Sequence, residues 1–306
     1  MGSTAELTFN IVYTPGTFPY LRLFLLSLLK WSDCSFRLVT NGCSRRERKM
    51  VESACRESIR LECFHFPKLR TAAKGKVLSA LQKMERDRFF CCLDSDIFAV
   101  GPFLDEIEGD LVRFAAIFSA PHFLMPENRK TMPPGYPGAY GIHMNDPGGR
   151  CIGTTCFAVY DNQVLSQSIR RLGIDFSSSS WAQVPAEFKP LFTQRGLKVE
   201  NYDSGKILNA CMSYSGKSLI YRNLPALKHI GGFSFARAGR RKRAPRSKPR
   251  DLRADYFYEM MRSLFAGEAL PPIPAPDQQF QAEYQGIIDE IKSLFESNRD
   301  LLRQFT

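Results

Sequence analysis

Along the first hundred residues, apolar runs alternate with segments whose apolar positions recur every three or four residues. LTFNIVY (Leu7 to Tyr13) reads as a strand, TFPYLRLFLLSLLKW has helical spacing, and FRLVT (Phe36 to Thr40) is a second strand. Ser44-Arg45-Arg46-Glu47 has the form of a capping box and predicts a helix running to about Glu57. IRLECFHF (Ile59 to Phe66) is a third strand, Lys74 to Arg86 is helical, and FFCCL (Phe89 to Leu93) is a fourth strand. Strands separated by helices predict an α/β fold of the Rossmann type: a mostly parallel sheet with helices on both faces. A strand covered on both faces should be continuously apolar, as FFCCL is.

The pattern is less regular further on. SAPHFLMPENRKTMPPGYPGAYGIHMNDPGGR (Ser119 to Arg150) is long and rich in Pro and Gly, the character of a loop bordering a site. CIGTTCFAVYD follows as a strand. Ala254 to Gly267 is helical, PPIPAP (Pro271 to Pro276) reads as a stiff linker, and Phe280 to Leu302 as an amphipathic helix. The expected organisation is an α/β domain over 1–235, divided near residue 118, a basic flexible loop over 236–253, and a helical segment over 254–306.

Composition sets outer bounds. A chain of 306 residues with 44% hydrophobic content can bury one large core or two that share an interface. No stretch approaches the roughly 18 apolar residues of a membrane span. The start, MGSTAELTFN, lacks a basic region followed by an apolar core, so the expectation is a cytoplasmic protein with no transmembrane segment. Nine cysteines without a CxxC pair read as buried thiols. Charge changes the picture more. Of the net +11, a local +8 falls between Ala236 and Arg253, where nine basic residues face the single Asp251. Such a run is either a solvated loop or a holder of a polyanion.

The candidate chemistry lies at the end of the fourth strand, where FFCCL runs into Asp94-Ser95-Asp96. Open parallel sheets bind ligands at the carboxyl ends of their strands. Two aspartates one residue apart can both face a cation, and carboxylate oxygen suits Mg²⁺ or Mn²⁺. Haloacid-dehalogenase-like phosphatases place DxDxT after the first strand, which does not fit. An EF-hand loop starting at Asp94 would need Gly where Ala99 stands.

With this DxD, three further stretches resemble the GT-A class of glycosyltransferases: TPGTFPYLRLFLLSLL (Thr14 to Leu29), AAKGKVLSAL (Ala72 to Leu81), and the pair NYDSGKILNA (Asn201 to Ala210) and LKHIGGFSF (Leu227 to Phe235). The resemblance spans roughly residues 7–235 and implies a donor half of about 1–118 and an acceptor half of about 119–235. It implies a nucleoside-diphosphate sugar as donor, a UDP-sugar first, carried on Mn²⁺ or Mg²⁺ by Asp94, Asp96 and His229. Asp94 is alternatively a contact to the ribose. Thr14, Pro15 and Gly16 would receive the nucleotide, Lys76 or Lys74 a phosphate, and Gly231 and Gly232 the close approach of the diphosphate. Asp203 would take the acceptor proton in an inverting transfer, or bind sugar hydroxyls in a retaining one, with plain helix capping the structural alternative. NYDSGKILN echoes glycogenin-like retaining enzymes, whereas HIGGFSF lacks their Lys-Pro-Trp ending. GGRCIGTTCF would line the donor sugar, and Trp181 would offer a stacking face or core packing.

Two other classes compete. Nucleotide-sugar pyrophosphorylases and related nucleotidyl- or phosphoryl-transfer enzymes also use paired aspartates, but carry a Gly-rich basic loop after the first strand; TPGTFPY has one Gly and no basic residue. A nucleic-acid binding protein would explain the arginines and leave DSD, YDSG and HIGG unexplained. Within the transferase reading, Arg237 to Arg253 points to a nucleic acid or another polyanion as acceptor, with a surface polysaccharide or glycolipid as the alternative.

Overall fold

A computed structural model describes residues 6–67, 70–119, 143–234, 252–273 and 278–303. Most of the predicted loop 119–150, the basic run as far as Asp251 and the end of PPIPAP lie outside the described residues. The first half runs β1 (Thr8–Tyr13), α1 (Phe18–Lys30), β2 (Ser35–Thr40), α2 (Arg45–Arg56), β3 (Leu61–His65), α3 (Lys74–Met84) and β4 (Phe89–Leu93), each within two residues of its predicted span. The capping box at α2 forms: the Glu47 amide donates to Ser44 Oγ at 3.3 Å, and the Ser44 amide to Glu47 Oε2 at 3.1 Å.

After β4 come β5 (Ile97–Ala99), β6 (Ala116–Ser119), β7 (Phe157–Asp161), α4 (Asn162–Leu172), α5 (Lys189–Gln194), α6 (Lys206–Tyr214), β8 (Leu219–Tyr221) and β9 (Leu227–His229). The C-terminal layer is α7 (Leu252–Ala266), α8 (Gln278–Ser297) and α9 (Arg299–Arg303). The amphipathic segment read from sequence as one helix is thus two. Asn298 separates them, its side-chain amide donating to the Leu294 carbonyl at 2.7 Å and so competing with the continuing ladder.

Seven strands form one sheet in the order β3-β2-β1-β4-β7-β6-β8, and β5 pairs with β9 in a second, two-stranded sheet. In the large sheet β7 alone runs antiparallel to its neighbours, β4 and β6. This is the mostly parallel α/β sheet the sequence predicts. Alternation along β4 shows why its run is unbroken. Phe89, Cys91 and Leu93 enter one core with residues of α1, α2 and the C-terminal helices, while Phe90 and Cys92 enter a second with residues of α3, α4 and α6.

The C-terminal layer is joined to α1 by specific contacts. Tyr20 meets Tyr258 and Phe265 edge-on at 5.6 and 5.7 Å, and the buried Arg22 donates to the Leu302 carbonyl at 2.9 Å. Tyr258 also packs on Phe233 at 5.4 Å, just beyond the His-Gly-Gly segment. Each buried aromatic ring contributes roughly 1.5–3 kcal/mol. No described helix is long and apolar enough to cross a membrane.

Candidate active site

The strand order changes direction between β1 and β4: β2 and β3 lie to one side and β4 to the other. The loops leaving the carboxyl ends of these neighbouring strands flank the crevice in which open α/β sheets bind ligands. Thr14-Pro15-Gly16 leaves β1; Gly16 takes a φ of 77°, and its amide donates to Glu47 in the capping box. Asp94 to Asp96 leaves β4 in a turn closed by the Ile97 amide on the Asp94 carbonyl at 3.3 Å.

The second sheet brings the distant histidine to this turn. Ile97 in β5 pairs in register with His229 in β9, and the Ile230 amide donates to the Asp96 carbonyl at 3.1 Å. His229 Nε2 therefore lies 3.3 Å from Asp96 Oδ1 and 3.6 Å from Asp94 Oδ2. Gly231 and Gly232, at φ of 73° and 79°, then turn the chain back, and the Phe233 amide donates to Asp96 Oδ2 at 3.1 Å. Two successive left-handed residues would strain any side chain but glycine's. Asp96 and His229 are both buried.

Cys156, which the sequence placed in a stretch expected to line the donor sugar but not among the cation's ligands, completes the cluster. Its carbonyl accepts the Asp94 amide at 2.7 Å, tying the end of β4 to the entry of β7. One ligand atom each from Asp94, Cys156 and His229 lie within 4.8 Å of one another. Two ligands bound to a tetrahedral cation at about 2.0–2.1 Å are about 3.3 Å apart, close to the separations of His229 from the two carboxylates. Carboxylates, imidazole and thiol converging at a strand end fit a divalent cation.

Of the two lysines considered from sequence, the one at the aspartates is Lys74; Lys76 is exposed, and no contact of it with the pair is seen. Positions two apart on a helix face nearly opposite ways. The Lys74 ammonium pairs with Asp94 and donates to the Thr155 carbonyl at 3.0 Å. Gly75 sets this end of α3, because a Cβ there would lie 2.2 Å from the Phe176 carbonyl oxygen. Burial disfavours the charge on Lys74, but Asp94 above all, with Cys156 and Asp203, outweighs it and raises its pKa. Burial likewise opposes a proton on His229, yet Cys156 and Asp96 push it well above the ordinary value.

Asp203 is exposed, and its carboxylate accepts the Ser204 amide at 2.9 Å. It does not cap α6: the residue before that helix is Gly205, at φ 75°, and no side chain caps it. The turn is held near the cluster through the Thr155 hydroxyl, which donates to the Ser204 carbonyl at 3.4 Å, and the charge of Asp203 bears on both Lys74 and Lys206. Lys206 is buried, which lowers its pKa to about 8, and it donates to the carbonyls of His143, at 2.6 Å, and Gly153. Trp181 is half-buried against the second core, with the ammonium groups of Lys189 and Lys198 at 5.9 and 5.5 Å from its ring.

The fold and the crevice define an α/β protein with a carboxylate–imidazole–thiol cluster at the topological switch point. No family model matches the chain, and no curated protein matches it. Among solved structures it is similar to the mannosyltransferase PcManGT from Pyrobaculum calidifontis in complex with GDP-Man and Mn²⁺, at 10% identity and TM-score 0.46 over 97% of this chain and 72% of that one. It is also similar to an active-site mutant of LgtC, at 13% identity and TM-score 0.48 over 95% of this chain and 96% of the other. For the galactosyltransferase LgtC in complex with donor and acceptor sugar analogs the values are 13% and 0.47, over 90% of this chain and 100% of that chain.

Proposed function

We propose that this chain is a metal-dependent glycosyltransferase that moves a sugar from a nucleoside-diphosphate sugar to a hydroxyl acceptor. The observation that carries the reading is the convergence of Asp94, Asp96 and His229 at the switch point, with His229 brought in by the β5–β9 pairing. In this reading Asp94, Asp96 and His229 hold Mn²⁺ or Mg²⁺, whose charge offsets that building on the departing diphosphate. Lys74, held against Asp94 in the structure, offers its ammonium to phosphate oxygens. Gly231 and Gly232, lacking side chains, would let the diphosphate approach the backbone closely, and Thr14, Pro15 and Gly16 border the nucleotide, a uridine diphosphate first. Asp203, exposed and joined electrostatically to Lys74, takes the proton of the attacking hydroxyl. The basic run Arg237 to Arg253 supplies the acceptor class, a polyanion of which nucleic acid is one case.

Incubation with a panel of nucleotide sugars and Mn²⁺ should release free nucleoside diphosphate, and a chelator should stop it. Turnover of nucleoside triphosphates with sugar phosphates, and of no nucleotide sugar, would move the chain to nucleotidyl transfer. Asp203→Asn should lower turnover by about 10²- to 10⁴-fold while leaving donor affinity unchanged. An equal loss of donor affinity would make Asp203 a sugar-binding residue instead.

A further inference from the structure

The thiol of Cys156 has no part in the reading above, although it lies among the groups that would hold the cation. We propose that Cys156 is itself a ligand of that cation, giving the centre a sulfur donor and a preference for Zn²⁺ or Co²⁺ over Mg²⁺. The proposal rests on the assignment of Asp94 and His229 as a cation site and extends it to the residue just before β7.

Three observations carry it. The sulfur, a carboxylate oxygen of Asp94 and a ring nitrogen of His229 lie within 4.8 Å of one another. On a tetrahedral cation a sulfur bonded at about 2.3 Å and a nitrogen or oxygen at about 2.0 Å lie about 3.5 Å apart, so side-chain movements of roughly an ångström close the shell. The residue is fixed in place by its backbone, since the Asp94 amide donates to its carbonyl at 2.7 Å and its own amide to Thr154 Oγ1 at 3.4 Å. Cys156 lies at the edge of the first core, 9% exposed, whereas Cys91 and Cys92 at 0% are fully enclosed.

The chemistry follows from the donor set. Carboxylates alone suit Mg²⁺ or Mn²⁺, imidazole draws the site toward Zn²⁺, Ni²⁺ and Co²⁺, and a thiolate does so more strongly. On binding, the Cys156 thiol gives its proton to solvent and its sulfur lone pair to the cation. No oxidant or reductant takes part. Mn²⁺ remains acceptable to such a centre, and Mg²⁺, the hardest of these ions, becomes the weakest competitor.

Cobalt reports the sulfur directly. Titrating the full chain with Co²⁺ should give a thiolate-to-cobalt charge-transfer band that saturates near one equivalent, disappears on adding Zn²⁺ and survives a large excess of Mg²⁺. Cys156→Ser and Cys156→Ala should both lose the band and bind Co²⁺ at least about tenfold more weakly. Cys63→Ser, which removes an exposed thiol elsewhere, should keep both. Thermal melting of the two Cys156 variants separates a lost ligand from a lost fold, and agreement between Ser and Ala guards against a polarity effect at one of them. A band that persists in folded Cys156→Ala, or cobalt bound with no charge-transfer band in the parent, overturns the proposal. Because the readout is spectroscopic, a Cys156-dependent band without sugar transfer would sink the transferase reading and leave the ligand assignment standing. Metal-dependent transfer with a Cys156-independent spectrum would do the reverse.

Discussion

Asp96→Asn should lower sugar transfer by about 10³-fold or more while leaving the protein folded. The size follows from what is removed. A cation at a developing diphosphate contributes several kcal/mol to the transition state, and about 4 kcal/mol is a factor of 10³. Loss of one anionic ligand from the pair weakens the hold on that cation, and the amide brings no charge to replace it. The fold is spared for a geometric reason. Asp96 uses Oδ2 to accept the Phe233 amide at 3.1 Å and presents Oδ1 to His229 Nε2 at 3.3 Å. Asn keeps one carbonyl oxygen for the Phe233 amide and turns its NH₂ toward the ring, which accepts it as neutral imidazole once the Asp96 charge that favours its proton is gone, so the structural loss is that of a modified hydrogen bond, about 1 kcal/mol. Turnover at saturating donor, set beside Mn²⁺ affinity and a thermal melt, tests this. Near-parental transfer by the variant in the absence of added metal would remove Asp96 from the site.

Raising the pH from 8 to 11 should unfold the protein at progressively lower urea, and the buried thiols dominate that effect. Burial pushes Cys34 and Cys92 up to about 12 from an ordinary 9.0, and Cys91 well above it. In the unfolded chain these thiols lose their protons near pH 9, while in the folded chain they keep them, so the unfolded state binds fewer protons and stability falls as pH rises. The contribution is intact below the unfolded value and is lost progressively up to the folded one. By pH 11 Cys34 and Cys92 each forfeit roughly 3 kcal/mol, together comparable to the lower end of the roughly 5–15 kcal/mol that a domain has in total, and Cys91 adds to the loss. Lys206 acts the other way. Its pKa is lowered to about 8 from 10.5, so the cost of burying its charge is relieved between those values and stability gains up to about 3 kcal/mol there. The thiols outnumber it, and the net sign is a loss. A urea midpoint that stays level or climbs between pH 9 and 11 would contradict the burial of these cysteines.

The first half of the fold was legible because its signals are local. β1 to β4 are apolar runs, α1 to α3 carry periodic apolar faces, and Ser44 and Glu47 make their reciprocal cap within four residues of chain. The short strands β5, β8 and β9 span three residues each, too few for alternation to register, and they exist because partners elsewhere in the chain pair with them. Of the site, Asp94 and Asp96 stood out because two carboxylates interrupt an apolar stretch, and His229 because LKHIGGFSF resembles the His-Gly-Gly segment of GT-A glycosyltransferases. Cys156 gave no such signal: a cysteine between Thr-Thr and an apolar strand reads as core, and only the β4–β7 pairing sets it beside Asp94. The choice between Lys74 and Lys76 was also tertiary, since it depends on how the Phe176 carbonyl seats Gly75 and so rotates the start of α3.

The crossing from Asp96 to Phe233 also bears on how the protein is made. The two residues are separated by 137 positions, and Phe233 in turn leans on Tyr258. At 5–20 residues per second, a ribosome takes roughly 7 to 27 s to travel from one to the other. Throughout that interval the aspartates are present and the thiol of Cys156 follows, but the imidazole and the amide that fix Asp96 are still unmade. In the proposed site the nascent chain would therefore hold the aspartates and then the thiol as an incomplete donor set, and the imidazole and the amide that fix its geometry arrive only with β9 and the residues just after it.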